Sequence, residues 1–273
     1  MSVLTTGLMT GTIGEALKYA ADLVGSRDAM LLLRHVTGES SAYVLLHENK
    51  PLPNPAIFEA CVKRRQTGEP LQYIIGQWDF MGKTMRTDSR ALIPRPETEL
   101  LVEEALKFLK PGMAVLDLCT GSGCIAAAIA GAGAFHVTAV DISTHALALA
   151  RENGQGLGIH FLQSDLFDAV NGLFDVIISN PPYITGEEMR CLPPTVRDYE
   201  PHLALYGGED GMDIYRRLIP QSLQHLKPGG ALFLEIGPAA VKDTMAASGF
   251  KNVCMMQDYA GLNRIVYGVK ENV

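Results

Sequence analysis

The chain has 273 residues, which is enough for one large domain or two ordinary domains with a hydrophobic core. Its formal net charge of −7 excludes a global basic field that would hold nucleic acid, and no stretch is long and apolar enough for a membrane span. Five cysteines without a Cys-x-x-Cys pair and an N-terminus without a secretion signal predict a reduced cytoplasmic protein, and seven scattered histidines predict no metal site.

The first part of the chain, residues 1–73, is predicted to be a small helical domain. Thr12-Ile13-Gly14-Glu15 has the spacing of a capping box, and an apolar-periodic run follows it and ends near Val24. A second helix is predicted over Asp28–Val36. Asn54-Pro55 marks the start of a third helix, with Asn as the cap and Pro in the first turn.

Residues 74–92 are predicted to form a β-hairpin linker. The sequence from Tyr73 to Thr87 alternates and contains aromatic residues, and Met81-Gly82 is a turn signal between its two halves. The segment Pro94–Glu99 then opens an amphipathic helix, which Pro111-Gly112 ends.

From residue 93 to residue 273 the sequence alternates between strands and helices, which predicts a mainly parallel sheet with helices on both faces. Seven apolar runs are predicted as strands: 114–118, 136–140, 159–163, 174–179, 231–236, 252–257 and 264–269. Four helices are predicted between them, at about 123–131, 144–153, 212–226 and 239–248. Residues 181–211 are predicted to be a long connection, and such connections usually carry function or are mobile.

The first of these strands runs into a glycine-containing turn. The strand contains Asp117, and the turn comprises Cys119, Thr120, Gly121, Ser122 and Gly123. Glycines let the backbone approach a ligand closely, and the N-terminus of the following helix supplies unpaired N–H groups. The segment is therefore a candidate cofactor site, although such turns occur in many nucleotide-binding folds. Capping of the following helix is the alternative role for Asp117.

The next two strands each end near an acidic residue. Asp141, followed by Ile142, comes about 20 residues after the glycines, and this spacing suits an acceptor for ribose hydroxyls. Asp165 follows the third strand and is predicted to accept the adenine amino group, with Leu166 or Phe167 against the ring. Helix capping is the alternative role for Asp141.

The fourth strand leads into Asn180-Pro181-Pro182-Tyr183. The two prolines stop the strand and stiffen the loop, and the carboxyl ends of strands are where open α/β sheets bind ligands. An Asn side chain beside a Pro carbonyl is able to accept two hydrogen bonds from one NH2 group, while the Tyr ring covers a flat group. The loop therefore predicts a planar substrate that carries an NH2 group, and a plain turn is the alternative.

Together these motifs carry a family resemblance. The order Asp117, Gly121-x-Gly123, Asp141, Asp165 and Asn180-Pro-Pro-Tyr183 resembles that of S-adenosylmethionine-dependent class I methyltransferases that modify amino groups. Four further segments narrow the resemblance: Pro94–Glu99, Tyr199–Gly211, Glu235–Gly237 and Asp258–Arg264. Over essentially its whole length, the chain resembles the HemK/PrmC-type peptide chain release factor glutamine methyltransferases.

The resemblance implies a Rossmann-like class I methyltransferase domain with a mainly parallel seven-stranded sheet at residues 93–273. It makes residues 1–73 a substrate-recognition domain, joined by the hairpin at residues 74–92. It implies methyl transfer from S-adenosylmethionine, with S-adenosylhomocysteine as the product and without a metal, to the side-chain amide nitrogen (N5) of the glutamine in a Gly-Gly-Gln loop of release factors. We further expect a cytoplasmic monomer without direct nucleic-acid or membrane contact.

The resemblance also assigns residues to roles. Asn180, Pro181 and Tyr183 are the predicted catalytic residues, and Pro182 joins them in binding the substrate amide. The predicted cofactor contacts are Asp117, Cys119, Thr120, Gly121, Ser122, Gly123, Asp141, Ile142, Asp165, Leu166 and Asn180. Glu97 is an outside candidate for a proton acceptor. Arg95 either forms a surface ion pair with Glu97 or Glu99, or lines the site.

One position departs from the family pattern, and three rival functions stay open. Cys119 stands where the family usually has the first Gly of Asp-x-Gly-x-Gly-x-Gly; a small side chain fits there if the backbone angles are ordinary, but Cys is strained if φ is positive. A glutamine methyltransferase of a ribosomal protein would share the catalytic core. A DNA adenine-N6 or RNA guanine-N2 methyltransferase would use a similar loop, but the acidic charge counts against it. A non-catalytic cofactor-sensing protein is the third alternative.

Overall fold

The computed structural model describes residues 11–272, so residues 1–10 of the predicted helical domain and Val273 lie outside the described residues. The described chain forms two compact units, which divide between Gly76 and Gln77. No helix in residues 11–272 has the length and apolarity needed to cross a membrane. The roles given above to residues 1–73, 74–92 and 93–273 stay predictions.

The first unit is helical. Its helices are α1 (Ile13–Val24), α2 (Ser26–Thr37), α3 (Ser41–Leu46), α4 (Pro55–Gln66) and α5 (Leu71–Ile75). The predicted capping box is confirmed, because the Thr12 hydroxyl accepts from the Glu15 amide at 3.3 Å and the Glu15 carboxylate accepts from the Thr12 amide at 2.9 Å. Asn54 precedes α4 as predicted, but its side chain forms no capping bond with any described residue. It instead adopts a left-handed conformation with φ of 50°, which Asn tolerates.

The second unit begins with the predicted hairpin. Strands β1 (Gln77–Phe80) and β2 (Lys83–Arg86) pair antiparallel around Met81-Gly82. The φ angles of this dipeptide, 51° and 70°, fit a type I′ turn, so the predicted turn is confirmed. Tyr73 lies in α5, so the strands begin later in the chain than the alternating pattern suggests.

The rest of the second unit alternates between helices and strands. The elements up to the Asn180 loop are α6 (Pro96–Phe108), β3 (Ala114–Leu118), α7 (Cys124–Ala132), β4 (His136–Asp141), α8 (Thr144–Asn153), β5 (His160–Gln163) and β6 (Phe174–Ser179). After the loop come α9 (Gly186–Cys191), α10 (Pro194–Arg197), a 3-10 turn (His202–Ala204), α11 (Asp213–His225), β7 (Leu226–Glu235), α12 (Ala240–Ala247), β8 (Lys251–Gln257) and β9 (Asn263–Val269). The seven predicted strands and four predicted helices are confirmed, although β7 begins earlier than predicted. The predicted connection 181–211 is not uniform, because α9, α10 and the 3-10 turn lie in it.

The sheet has the strand order β5-β4-β3-β6-β7-β9-β8. Neighbouring strands are parallel, except that β9 runs antiparallel to both β7 and β8. From β3 the chain moves outward through β4 to β5 and then returns to the other side of β3 as β6. This reversal beside β3 is the topological switch point, next to which open α/β sheets bind ligands.

The sheet separates two buried apolar clusters. Because side chains alternate along a strand, Leu116 and Leu118 enter one cluster and Val115 enters the other. The first cluster includes Tyr215 of α11, and the second includes Ile125 of α7. Helices therefore cover both faces, which confirms the predicted Rossmann-like class I methyltransferase architecture and leaves the strand ends to form a site.

Candidate active site

A cavity of about 280 Å³ opens at the carboxyl edge of β3, β4, β5 and β6. In the sheet register Leu118 stands opposite both Val140 and Ser179, so these strands end at one level. The predicted site residues that line the cavity are Cys119, Thr120, Gly121, Ser122, Asp141, Ile142, Asp165, Leu166, Asn180 and Pro182. Four loops that are far apart in sequence therefore meet around one space, as the sequence predicted.

The glycine turn is held in a left-handed conformation. The φ angles of Cys119, Gly121 and Gly123 are 57°, 54° and 79°. Gly123 is not part of the cavity lining. A Cβ at Gly123 would lie 2.9 Å from the Cβ of Ala150 in α8. Gly123 is thus required for close packing of the turn against α8, while a contact with the cofactor stays a prediction.

Cys119 occupies the position where the sequence left two possibilities. Its φ of 57° shows that the position requires a left-handed backbone, which costs an ordinary residue about 1 to 2 kcal/mol relative to glycine. The side chain packs against the buried cluster beneath the sheet edge. Burial, with Asp141 nearby, raises the pKa of the Cys119 thiol well above its ordinary value. The thiol is therefore protonated at neutral pH and is not an activated nucleophile.

Asp117 lies behind the turn and not in the cavity wall. Its carboxylate accepts from the Thr120 hydroxyl at 2.5 Å and from the Ala126 amide at 3.1 Å, so it caps the start of α7. The other carboxylate oxygen, Oδ1, has no hydrogen-bond partner among residues 11–272. Complete burial raises the pKa of Asp117 to about 7. The contacts of Asp117 are thus those of the alternative role, helix capping, and its predicted contact with the cofactor stays a prediction.

Asp141 holds the turn and also faces the cavity. One carboxylate oxygen accepts from the Gly121 amide at 2.8 Å, and the other accepts from the Ser143 amide at 2.9 Å. Burial raises the pKa of Asp141, and these backbone bonds oppose the rise. A carboxylate offers about four acceptor positions, more than these backbone amides occupy, so acceptor capacity stays available for a ligand.

Asp165 and Leu166 form the far wall of the cavity. Asp165 is half-buried and accepts from the Arg217 guanidinium of α11 at 2.9 Å. Leu166 is buried and has a left-handed φ of 48°. The sequence did not predict the Arg217 pair, which leaves the second Asp165 oxygen for a donor in the cavity.

Behind Asn180 lies a buried chain of hydrogen bonds. The Asn180 side-chain NH2 donates to the Thr98 hydroxyl at 3.1 Å, and that hydroxyl donates to Glu235 at 2.6 Å. The Tyr183 hydroxyl donates to the other Glu235 oxygen at 3.4 Å. Thr98 and Glu235 are each only 2% exposed. The sequence placed both residues in family motifs, but it did not predict that they meet behind Asn180.

Glycines enclose Tyr183. A Cβ on Gly207 would lie 2.6 Å from the Tyr183 Cα, one on Gly211 would lie 2.3 Å from its carbonyl oxygen, and one on Gly237 would lie 2.6 Å from its ring. Burial raises the pKa of Tyr183 to about 12. Neither Tyr183 nor the buried Pro181 belongs to the cavity wall, so their predicted contacts with a substrate stay predictions.

Arg95 lines the cavity and also forms an ion pair. Its guanidinium donates to Glu200 at 2.5 Å, and Glu200 is buried. The second Glu200 oxygen accepts from the Ile93 amide at 3.1 Å. Of the two alternatives that the sequence left open for Arg95, the structure shows the place in the site lining, and the ion pair is with Glu200 instead of Glu97 or Glu99. Glu99 accepts from the Met81 amide at 2.7 Å.

Comparisons with known proteins cover both units. A family model described as PrmC N-terminal domain matches residues 15–76, and one described as Methyltransferase small domain matches residues 96–193. The release factor glutamine methyltransferase of Cereibacter sphaeroides is 44% identical, over 88% of this chain and 90% of the relative. The proteins of that name in Rhodopirellula baltica and Koribacter versatilis are 41% and 40% identical; the alignments cover 88% and 94% of this chain, and 87% and 96% of those relatives.

Solved structures share the fold at lower identity. A methyltransferase from Pyrococcus furiosus aligns with a TM-score of 0.52 and 22% identity, covering 68% of this chain and 88% of the other. The 16S rRNA N2 G1207 methyltransferase of T. thermophilus aligns with a TM-score of 0.54 and 20% identity, covering 71% of this chain and 50% of the other. These matches show a common methyltransferase fold.

The burial of Asp117 generates a prediction about stability and pH. The pKa of Asp117 is raised in the folded state, so the folded protein buries the neutral acid at low pH. The free energy of unfolding therefore falls as the pH rises from about 4 toward 7 and Asp117 has to ionise. Asp117→Asn removes this titration. We expect the stability of the wild type relative to Asp117→Asn to decline over this range by up to about 1.4 kcal/mol per pH unit, and to stay constant above it.

Urea unfolding of both proteins at several pH values measures this difference. The control is Asp243→Asn, which changes an exposed carboxylate on α12 and should leave the pH dependence unaltered. Parallel pH profiles for the wild type and Asp117→Asn would show that Asp117 is ionised throughout.

Proposed function

This chain belongs to the release factor glutamine methyltransferase family, and we propose that it binds S-adenosylmethionine in the carboxyl-edge cavity and presents the acceptor glutamine to it at Asn180. The enzyme is an S-adenosylmethionine-dependent methyltransferase, and its methyl acceptor is a glutamine of a peptide chain release factor. The observation that carries the proposal is the shared cavity: the glycine turn, Asp141, Asp165 and Asn180 line one space.

The proposed cofactor contacts fit the chemistry of this donor. Asp141 retains acceptor positions for the ribose hydroxyls, and Asp165 retains one oxygen for the adenine amino group. The left-handed turn at Gly121 lets the backbone approach the ligand closely. When bound, the cofactor supplies an electrophilic methyl group on a sulfonium centre and leaves as S-adenosylhomocysteine. Asp117 and Gly123 support this turn from behind, so their contribution to cofactor affinity is proposed to be indirect.

The proposed task of Asn180-Pro181-Pro182-Tyr183 is to orient a poor nucleophile. An amide nitrogen reacts weakly because its lone pair is delocalised into the carbonyl group. The Asn180 side-chain oxygen and the Pro181 backbone carbonyl would accept its two N–H groups, and Tyr183 would pack beside the amide plane. This grip would aim the nitrogen at the methyl carbon and favour the positive charge that develops on nitrogen during transfer.

The finer identity of the substrate is part of the proposal. We take the acceptor to be the N5 amide nitrogen of a Gly-Gly-Gln loop, and the enzyme to be a cytoplasmic monomer without a metal or a direct nucleic-acid partner. A ribosomal-protein glutamine and a nucleobase amino group are the alternatives, and the relatives named above favour neither. The net charge of −7 also argues against a nucleic-acid substrate.

One assay tests these assignments together. The enzyme and S-adenosylmethionine that carries a labelled methyl group are incubated with one acceptor at a time. The three acceptors are purified release factor, ribosomes and DNA. Label on the Gly-Gly-Gln glutamine of the release factor supports the proposal. Label on a ribosomal protein or on DNA alone would transfer the assignment to that substrate.

Asn180→Ala is expected to abolish methyl transfer and to leave the affinity for S-adenosylmethionine nearly unchanged. The substitution removes the amide oxygen that would hold the acceptor, while Asp141 and the glycine turn stay intact. Labelled-methyl turnover and titration calorimetry measure the two effects. Asn171→Ala, which changes an exposed Asn outside the cavity, serves as the matched control and should alter neither quantity. Turnover by Asn180→Ala at the wild-type rate would remove Asn180 from the reaction.

Asp141→Ala is expected chiefly to weaken cofactor binding. The carboxylate both offers acceptors to the ribose and fixes the Gly121 and Ser143 amides, so its loss disturbs the turn as well. Titration calorimetry should show a cofactor Kd raised by about tenfold or more, as expected for the loss of a charged hydrogen-bond acceptor. Asp243→Ala on α12 is the control. An unaltered Kd would count against the ribose assignment.

A further inference from the structure

The hydrogen bonds behind Asn180 have a direction that the chemistry of Thr98 and Glu235 determines. Thr98, in the first turn of α6, lies between Asn180 at 3.1 Å and Glu235 at 2.6 Å. Both Thr98 and Glu235 are buried, so water does not replace these partners readily. The three residues come from α6, from the loop after β6 and from the end of β7, so the tertiary fold alone brings them together.

A threonine hydroxyl has one proton, and an ionised carboxylate accepts hydrogen bonds but cannot donate them. The Thr98 proton therefore goes to Glu235, and the Thr98 oxygen is left as an acceptor. Only the NH2 end of the Asn180 amide satisfies that acceptor. The amide oxygen of Asn180 must then point away from Thr98, because the two ends of a planar amide lie on opposite sides.

This direction matters because the two ends of an amide have nearly the same size and shape. Packing alone does not distinguish an Asn from the same side chain turned by 180°. The turned Asn would present its NH2 group to the NH2 group of the acceptor glutamine, and two donors do not bind each other. A selective partner behind Asn180 is therefore needed to keep the oxygen toward the substrate.

We propose that Thr98 and Glu235 are positioning residues, which fix the Asn180 amide with its oxygen toward the acceptor glutamine. The proposal rests on the proposed role of Asn180. Tyr183 strengthens the arrangement, since its hydroxyl donates to the second Glu235 oxygen at 3.4 Å. Both ends of the Asn180-Pro181-Pro182-Tyr183 loop are thereby tied to one carboxylate.

The arrangement depends on the ionisation of Glu235. A protonated Glu235 is able to donate to Thr98, and the Thr98 proton then turns toward Asn180 and favours the inverted amide. Burial raises the pKa of Glu235 to about 7, while the Thr98 bond and the charge of Arg264 on β9 oppose the rise and Glu97 on α6 adds to it.

Three further titratable groups interact with Glu235. The Tyr215 hydroxyl of α11 donates to the Glu235 backbone carbonyl at 2.7 Å, and the Tyr183 hydroxyl donates to the Glu235 side chain. The charge of Glu235 also acts on the Cys124 thiol of α7. Burial raises the pKa of each of these three groups, so all of them stay neutral near pH 7. Of these groups, Glu235 is thus the one that changes charge near neutral pH. Glu235 orients Asn180 for methyl transfer when it is ionised, at pH values above its pKa.

The matched pair Thr98→Val and Thr98→Ser tests the proposal. Valine keeps the shape of the side chain and removes the hydroxyl, whereas serine keeps the hydroxyl. We expect Thr98→Val to lower kcat by about tenfold to a hundredfold, the range that corresponds to loss of a hydrogen bond to a charged group. The Kd for S-adenosylmethionine should stay unchanged, and Thr98→Ser should retain most of the wild-type kcat.

A pH profile supplies a readout that a merely structural role would not change. The wild-type kcat should fall as the pH is lowered through about 7, as Glu235 becomes protonated. Glu235→Gln does not titrate, so its profile should lose this inflection. If Thr98→Val does not fold, Glu235→Gln alone decides the question through its profile.

Two outcomes overturn the proposal: a wild-type kcat in Thr98→Val, or an equal loss in Thr98→Ser and Thr98→Val. Because the pKa of Asp117 is also raised to about 7, the profiles are compared in an Asp117→Asn background, where an inflection that persists in Glu235→Gln would contradict the role of Glu235. Active Asn180→Ala would instead be a failure of the proposed function, which keeps the two results distinguishable.

Discussion

The parallel pairing of β3 with β4 on one side and with β6 on the other is the constraint on which the site depends. Because Leu118 stands opposite both Val140 and Ser179, the loops that follow these strands begin at the same level. Parallel pairs also require crossover helices, and these cover both faces of the sheet. The carboxyl edge is then the place where polar residues stay free to contact a ligand, so the glycine turn, Asp141 and Asn180 share a cavity.

Two buried carboxylates stabilise the two halves of this cavity in the same way. Asp117 accepts from the Thr120 hydroxyl behind the glycine turn, and Glu235 accepts from the Thr98 hydroxyl behind Asn180. Burial raises the pKa of each carboxyl to about 7. Burying a carboxylate is costly unless hydrogen bonds compensate it. Both buried carboxylates lie where they hold a loop of the cavity in one conformation. The stability of the fold and the conformation of these loops therefore depend on the same hydrogen bonds.

The sequence predicted the features that depend on local patterns. Apolar runs identified every strand of the large sheet. The signal is strongest in β3 and β6, because central parallel strands are buried on both faces and need apolar residues along nearly their whole length. The short helices α3, α5, α9 and α10 were missed, since four to six residues do not establish a helical period. Contacts that join distant segments were also missed: Thr98 and Glu235 are 137 residues apart, and the partner of Arg95 proved to be Glu200. Patterns identify which residues are unusual, but only the tertiary fold determines which of them meet.

The stiffness of the Asn180 loop has a source that its own residues do not reveal. Two prolines restrict the backbone of this loop, yet they do not determine where it lies in the fold. Gly207, Gly211 and Gly237 allow neighbouring chain segments to approach Tyr183 so closely that a methyl group at any of them would collide with it. Tyr183 is thus fixed by packing at one end of the loop, while Asn180 is fixed by directed hydrogen bonds at the other. Packing sets the position of the loop, and because packing does not distinguish an amide from its inverted form, the hydrogen bonds must set the orientation of the Asn180 amide.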